Sequence, residues 1–188
     1  MDSREPGSVE VFLTVLSGRV TARRYKRYVD AMGLMGSEMV LDYGSGSGRI
    51  SRHIAQRLLL GNGHLTCVDV STVWMDTVRR LLKKYTNVDF KLGDISLLAI
   101  DDNAYDVVVV HFVLHHVDRK ERQEKVGVLS RKLKAGGRLF VREPTREGHG
   151  TPVDEIRQLM STAGLCERES RMTRSLLIGP VYEGVFET

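Results

Sequence analysis

Short apolar runs alternate along the chain with longer stretches whose apolar residues recur at helical spacing. The runs rich in β-forming residues predict strands, at residues 39–42, 64–70, 88–92, 105–112 and 138–143. The clearest helical stripe comprises Trp74, Thr77, Val78, Leu81, Leu82 and Tyr85. Such a stripe predicts an amphipathic helix between two strands, whereas the four consecutive valines at 107–110 are typical of a parallel strand buried on both faces.

Two more predicted strands, at residues 165–173 and 181–188, close the chain with no helix between them. Consecutive strands of this kind pair antiparallel. Because crossovers between parallel strands are right-handed, the whole pattern predicts an α/β fold. Its sheet is doubly wound and seven-stranded, mostly parallel, with an antiparallel pair at the C-terminal end. No repeat or linker interrupts the pattern, so we expect a single domain over residues 1–188.

The N-terminal residues 9–32 predict one or two helices, broken near Gly18. They carry the most basic patch of the chain, which comprises Arg19, Arg23, Arg24, Lys26 and Arg27. One interpretation is a solvated helix whose apolar side docks on the domain. The other is that residues 1–35 form a helical lid over a ligand pocket, with Tyr25 or Tyr28 pointing into it.

Composition adds few constraints. With 41% hydrophobic and 28% charged residues the chain fits a globular protein, and no apolar run is long enough to span a membrane. Cys67 and Cys166 are far apart and have apolar neighbours, so we expect both to be reduced core residues of a cytoplasmic protein. A net charge of +4 permits an acidic partner without requiring one.

The stretch Met39–Ile50 predicts a buried strand, a glycine turn and the start of a helix. Gly44, Gly46 and Gly48 occupy every second position of the turn. Glycine adopts positive φ without strain and lets a ligand approach the backbone, and a helix N-terminus attracts anionic groups. Asp42 adds a carboxylate at the strand end. A carboxylate beside N–H groups suits a zwitterion better than a pyrophosphate.

Two more acidic residues follow strand ends. Asp69 ends the second strand, where a carboxylate can accept both hydroxyls of a ribose. The alternative for Asp69 is an acid at the start of the next helix, for which Ser71 is the predicted N-cap. Asp94 follows the third strand and has the alternative of a simple turn residue.

Together these motifs resemble the class I S-adenosylmethionine-dependent methyltransferases over about residues 38–145. The motifs are D-x-G-x-G-x-G at 42–48, C-V-D-V-S at 67–71, G-D-I at 93–95, the strand with L-H-H-V at 105–117 and L-K-A-G-G-R-L-F-V-R-E-P at 133–144. The L-H-H-V and L-K-x-G-G segments resemble the UbiE-like small-molecule group, methyltransferase type 11. An NAD(P)-binding fold instead requires G-x-G-x-x-G and lacks the final strand pair.

The resemblance implies a Rossmann-like fold that binds S-adenosyl-L-methionine and methylates a small-molecule acceptor. The cofactor-binding residues that it implies are Asp42, Gly44, Ser45, Gly46 and Gly48 at the methionine end, Asp69 and Val70 at the ribose, and Met75, Asp94 and Ile95 at the adenine. A non-catalytic, cofactor-binding regulatory domain remains an alternative, as does a methyltransferase that acts on a protein or RNA.

Three residues are candidates for the acceptor side. His111 ends the fourth strand and His115 follows it, and histidine titrates near neutral pH, so either is a candidate base. His111 has the alternative of lining the cofactor pocket. Glu143, at the end of the fifth strand, is a candidate substrate-facing residue. A metal site is not predicted, because no cysteine or carboxylate cluster completes the histidines.

The acceptor itself is constrained by what the chain lacks. No N-P-P-Y-like segment and no cysteine follows the fourth strand, which argues against amide nitrogens and pyrimidine carbons. No aromatic residues alternate with basic ones, as they do in nucleic-acid platforms. The segment 144–152 is too short for a substrate lid. Either the N-terminal helices cover the acceptor, or the site is open and admits something large.

Overall fold

The structure, a computed structural model, describes residues 22–146, 148–175 and 178–188. The predicted helical segment before residue 22 and the connector Leu176-Leu177 lie outside the described residues. The chain divides into two compact units, Met1–Asp94 and Ile95–Thr188. Among the described residues, no helix has both the length and the apolar character needed to cross a membrane.

The first unit alternates strands and helices. Its elements are α1 (helical over the described residues 22–31), β1 (Met39–Tyr43), α2 (Arg49–Leu58), β2 (His64–Asp69), α3 (Thr72–Leu82) and β3 (Val88–Leu92). The strand β2 pairs in parallel with both β1 and β3. In this register Asp42 lies opposite Cys67 and Asp69 lies opposite Leu92. The carboxyl ends of β1 and β2 are therefore adjacent.

The second unit ends in the predicted strand pair. Its elements are β4 (Tyr105–His111), a 3-10 turn (Leu114–His116), α4 (Arg122–Lys132), β5 (Leu133–Pro144), α5 (Val153–Thr162), β6 (Cys166–Ser175) and β7 (Gly179–Glu187). The strands β4 and β5 are parallel. The strand β7 runs antiparallel to both β5 and β6.

The strand order is β3-β2-β1-β4-β5-β7-β6. This confirms the prediction of an α/β fold with a seven-stranded, mostly parallel sheet that ends in an antiparallel pair. The four valines at 107–110 are completely buried, as expected for a strand covered on both faces. On α1, Tyr28 and Val29 are buried, and so is Met32 directly after the helix, which confirms the apolar side of that helix.

Three local predictions need correction. The strand β5 begins at Leu133 rather than near residue 138, because Leu133 already pairs with Tyr105 ahead of a register shift. On α3, Met75 is buried instead of Trp74. Leu81, on the same predicted apolar stripe, is 38% exposed.

The two cysteines differ in exposure. Cys67 is buried, as predicted, but Cys166 is exposed. Cys166 is the first residue of β6, which is last in the strand order. The preceding Leu165 is 2% exposed and takes the core position at this point of the chain. The prediction that both thiols lie in the core is therefore wrong for Cys166.

Candidate functional site

The glycine turn has the backbone conformation that its spacing predicts. Gly44, Gly46 and Gly48 have φ values of 70°, 51° and 74°, the left-handed region that side chains disfavour. A Cβ atom on Gly48 would lie 2.6 Å from Cγ2 of Val78, so α3 also requires glycine there. A Cβ on Gly46 would meet only the Gly44 carbonyl oxygen, at 3.8 Å, which leaves space beside the backbone.

Much of the turn's hydrogen bonding is internal. The N–H groups of Gly44 and Ser45 donate to the Val68 carbonyl, at 2.8 and 3.0 Å, and the Gly48 N–H donates to the Ser45 carbonyl. These bonds fasten the turn to β2. The N–H groups expected to bind a ligand are therefore those of the first turn of α2, because the first N–H groups of an α-helix have no acceptor within the helix.

Asp69 joins two loops of the first unit. Its Oδ2 accepts the Gly46 N–H at 2.7 Å and its Oδ1 accepts the Ser71 N–H at 2.9 Å. Ser71 in turn accepts the Trp74 N–H through its hydroxyl, which confirms it as the N-cap of α3.

Asp42 is almost fully buried beneath the turn. Its carboxyl group is 1% exposed and accepts a hydrogen bond from the Ser51 hydroxyl at 2.5 Å. Burial raises the pKa of Asp42 to about 7; the Ser51 bond opposes this rise and the charge of Asp69 adds to it. At neutral pH the Asp42 carboxyl is thus divided between two forms, and a nearby cation would favour the charged form.

Ser45 supplies a second polar group at the turn. The residue is 7% exposed, and its hydroxyl has no hydrogen-bond partner among residues 22–146, 148–175 and 178–188. An unpaired buried hydroxyl costs free energy unless a ligand satisfies it. With the open space beside Gly46, it gives the turn both room and a bonding group for a polar ligand.

The helix α1 reaches the same region through Tyr25. Arg49, the first residue of α2, donates to the Tyr25 hydroxyl at 3.3 Å, and its guanidinium lies 5.7 Å from the centre of the Tyr25 ring. Tyr28 is instead 7% exposed and packs in the core. Of the two tyrosines considered for a lid, Tyr25 therefore lies beside the helix that follows the glycine turn.

The residues expected near the adenine have different environments. Val70 is 37% exposed, whereas the Met75 side chain is completely buried and packs in the core of its unit. Asp94 is partly exposed and follows Gly93, whose N–H donates to the Asp69 carbonyl at 2.9 Å. Ile95 is 1% exposed and is the first residue of the second unit.

In the second unit, the His111 side chain contacts Arg142 and Phe112. Nη1 of Arg142 lies 3.4 Å from Nε2 of His111. A guanidinium only donates hydrogen bonds, so Nε2 is the acceptor in this long contact. The His111 ring also packs against Phe112, with ring centres 4.3 Å apart, and Phe112 has an uncommon φ of 60°.

An ion-pair cluster surrounds Arg142 that the sequence did not predict. Its guanidinium lies 2.9 Å from Glu183, which is 8% exposed and also pairs with Arg171 at 2.6 Å. Arg142 and Glu183 are register partners on β5 and β7. The sequence shows a basic residue on one strand and an acidic residue on another. Which residues of the two strands lie opposite each other depends on the register of the antiparallel pair.

Glu143 does not face a substrate. It is completely buried, and both of its oxygens are used. Oε1 accepts the N–H groups of Val113 and Leu114 at 2.6 and 2.8 Å, and Oε2 lies 2.7 Å from Nδ1 of His115. The prediction that Glu143 lines the acceptor site is therefore wrong, because its carboxylate holds the turn that carries His115. The His115 side chain is itself 17% exposed.

His116 is the neighbour of His115 in the 3-10 turn, and the two rings lie 4.0 Å apart, centre to centre. Among the residues that the structure describes, no group of three or more histidine, cysteine, aspartate or glutamate side chains is arranged to hold a metal ion.

Residues 40–137 match the model of a family described as a methyltransferase domain. A ubiquinone/menaquinone biosynthesis C-methyltransferase, UbiE, from Ectopseudomonas mendocina is 34% identical over 139 residues, which are 72% of this chain and 53% of the relative. The chain thus spans about half the length of the curated relatives that it matches.

Solved structures share the fold at lower identity. A TehB-like SAM-dependent methyltransferase from Corynebacterium glutamicum has a TM-score of 0.73 and 19% identity, with 96% of this chain and 98% of that chain covered. The N-methyltransferase NodS from Bradyrhizobium japonicum, in complex with S-adenosyl-L-homocysteine, has a TM-score of 0.71 and 17% identity, with 90% and 86% covered. Because the family model matches more than half of the chain, the protein belongs to the methyltransferase domain family.

Proposed function

We propose that the protein is an S-adenosylmethionine-dependent methyltransferase that methylates a small-molecule acceptor. The observation that carries the proposal is the glycine turn, with its left-handed glycines and with Asp69 bonded to Gly46. Membership of the methyltransferase domain family and the UbiE relatives support it. Both cysteines are free, which supports a cytoplasmic location as part of the proposal.

The first unit supplies the groups that would bind the cofactor. The Ser45 hydroxyl and the first-turn N–H groups of α2 suit the carboxylate of its methionine moiety, and Asp42 suits the ammonium group. Asp69 suits the ribose hydroxyls, because a carboxylate accepts hydrogen bonds. When bound, S-adenosylmethionine supplies a methyl group on a sulfonium, and the carbon–sulfur electron pair stays on sulfur as the methyl bonds to the acceptor.

The second unit supplies two candidate bases, His111 and His115. Nε2 of His111 faces the guanidinium of Arg142, so that nitrogen is a poor proton acceptor. His115 is bonded through Nδ1 only, and its Nε2 has no partner within the described part of the chain. We therefore assign the base role to His115 and a packing role to His111.

A non-catalytic cofactor-binding domain and a methyltransferase acting on a protein or RNA are the remaining alternatives. The first predicts cofactor binding without transfer to any acceptor. The second predicts transfer to macromolecules in preference to small acceptors. Both outcomes can be read from one assay that follows a labelled methyl group into small-molecule, protein and RNA fractions.

Calorimetric titration of the purified protein tests the cofactor first. We expect micromolar binding of S-adenosylmethionine and S-adenosylhomocysteine and no binding of NAD⁺. Binding of NAD⁺ alone would overturn the proposal. Once the cofactor binds, release of S-adenosylhomocysteine with a panel of phenols, amines and thiols identifies the class of acceptor, and a panel without turnover would favour the non-catalytic alternative.

A further inference from the structure

Three nitrogen atoms of one short segment lie within hydrogen-bond distance of Glu143. The N–H groups of Val113 and Leu114 share Oε1, and Nδ1 of His115 meets Oε2 at 2.7 Å. The glutamate lies 28 residues beyond His115 in the sequence and is completely buried. A buried carboxylate with this many hydrogen bonds is costly to move, so it holds the His115 ring in one orientation.

These bonds also decide which ring nitrogen of His115 carries the proton. Oε1 already accepts two backbone N–H groups, and a carboxylate only accepts hydrogen bonds. The proton between Glu143 and His115 therefore resides on Nδ1, and the neutral ring has its lone pair on Nε2.

We propose that Glu143 is a positioning residue that fixes this tautomer, so that Nε2 of His115 takes the proton that the methyl acceptor loses. The proposal rests on the proposed function, and it adds a requirement on the acceptor. The acceptor atom carries a proton when it binds; as that atom bonds to the methyl carbon, its proton passes to Nε2 and later to water. A positioned base of this kind contributes about 10²- to 10⁴-fold to a rate.

A purely structural role is the alternative, in which Glu143 only caps the 3-10 turn. The substitution Glu143→Gln separates the two. Its amide oxygen still accepts the Val113 and Leu114 N–H groups, so the cap is kept. Its NH₂ group faces Nδ1 and can only donate, which forces Nδ1 to accept and moves the ring proton to Nε2.

Nitrogen-15 NMR of the histidine side chains, at a pH where His115 is neutral, measures this directly. We expect the proton on Nδ1 in the wild type and on Nε2 in E143Q, with an unchanged backbone amide spectrum away from the turn. His116→Gln is the matched control, because it alters the neighbouring ring and leaves Glu143 in place; it should keep the wild-type tautomer. A wild-type proton on Nε2, or an E143Q spectrum like the wild type, would overturn the proposal.

The kinetic test uses S-adenosylmethionine and an acceptor from the screen. We expect E143Q to lower kcat by about 10²- to 10⁴-fold with cofactor Kd within about twofold of wild type. A lower affinity with unchanged kcat would indicate the purely structural role. If E143Q does not fold, the wild-type tautomer tests the ring orientation, and His115→Gln tests the base: a kcat equal to that of the wild type would overturn the proposal. Failure of the proposed function would instead appear as absent cofactor binding, which the NMR measurement does not depend on.

Discussion

Asp69 and Gly46 are bonded through Oδ2 of the carboxylate and the backbone N–H of the glycine, 2.7 Å apart. The bond ties the end of β2 to the middle of the glycine turn. The residue expected to bind the ribose thus also holds the loop expected to bind the methionine end. The two halves of the proposed cofactor site are coupled through one side chain.

Replacement of Asp69 by alanine should therefore weaken cofactor binding about 10- to 100-fold, since hydrogen bonds to a charged group contribute about 1.5–3 kcal/mol. Calorimetric titration with S-adenosylhomocysteine measures the change. Asp89→Ala is a matched control, because Asp89 lies on β3 with its side chain 65% exposed. Equal affinity of D69A and D89A would remove Asp69 from the site.

The glycine at position 48 should be intolerant of a side chain. Gly48→Ala places a residue at φ 74° and a Cβ atom 2.6 Å from Cγ2 of Val78. The left-handed backbone costs about 1–2 kcal/mol, and the overpacking adds about 1–3 kcal/mol. Urea unfolding measures the loss. Gly164→Ala isolates the backbone cost, because Gly164 has φ 79° with no atom within 4 Å of its Cβ position. Similar losses for both variants would contradict the clash.

The buried carboxyl of Asp42 should make stability depend on pH. Burial raises its pKa from 3.8 to about 7, so between these values the folded protein holds a proton that the unfolded chain has released. The free energy of unfolding therefore falls as the pH rises from about 4 to about 7, and this contribution is constant above that range.

Asp42→Asn removes this titration and keeps an oxygen for the Ser51 hydroxyl. Relative to wild type, the free energy of unfolding of D42N should rise across the same pH range by on the order of 4 kcal/mol. Urea unfolding of the ligand-free protein at several pH values gives the slope. The change of the free energy of unfolding with pH is the quantity to compare, because the new amide group also alters the stability by an amount that does not depend on pH. Parallel curves for the two proteins would show that Asp42 does not titrate there.

The two thiols should differ in reactivity. Cys166 is exposed, whereas Cys67 is buried, and burial with the nearby Asp42 carboxyl raises the pKa of the Cys67 thiol. Because the thiolate is the reactive form, dithionitrobenzoate should modify one thiol rapidly in the native protein and the second only after unfolding. Cys166→Ser should abolish the rapid phase. Two rapid thiols in the wild type would contradict the burial of Cys67.

Local sequence patterns were sufficient to predict the glycine turn and the helix that Ser71 caps. Positive φ at alternate glycines and a serine N-cap depend on backbone conformation within a few residues, and the sequence shows these directly. The valine run of β4 likewise indicates that the strand is buried, because a strand covered on both faces lacks the alternating polar residues of a half-exposed strand. These elements also carry the motifs that resemble the methyltransferases.

Tertiary structure decided the features that depend on distant residues. Cys166 follows the apolar Leu165, but its place at the start of β6 exposes it. Glu143 ends a strand, as a substrate-facing residue would, yet its side chain meets the turn at Val113 and Leu114, about 30 residues earlier. Which side of a strand is covered depends on what packs against it, and no local pattern contains that information.

The sequence by itself therefore determined the fold class, the family resemblance and the position of the glycine turn, since periodicity and glycine spacing are local properties. Only the tertiary structure showed that Nε2 of His111 faces the guanidinium of Arg142 and that Nδ1 of His115 meets the carboxylate of Glu143. That distinction depends on Arg142 and Glu143, which strand pairing brings from β5 to the end of β4. Adjacent residues of β5 thus contact two different histidines.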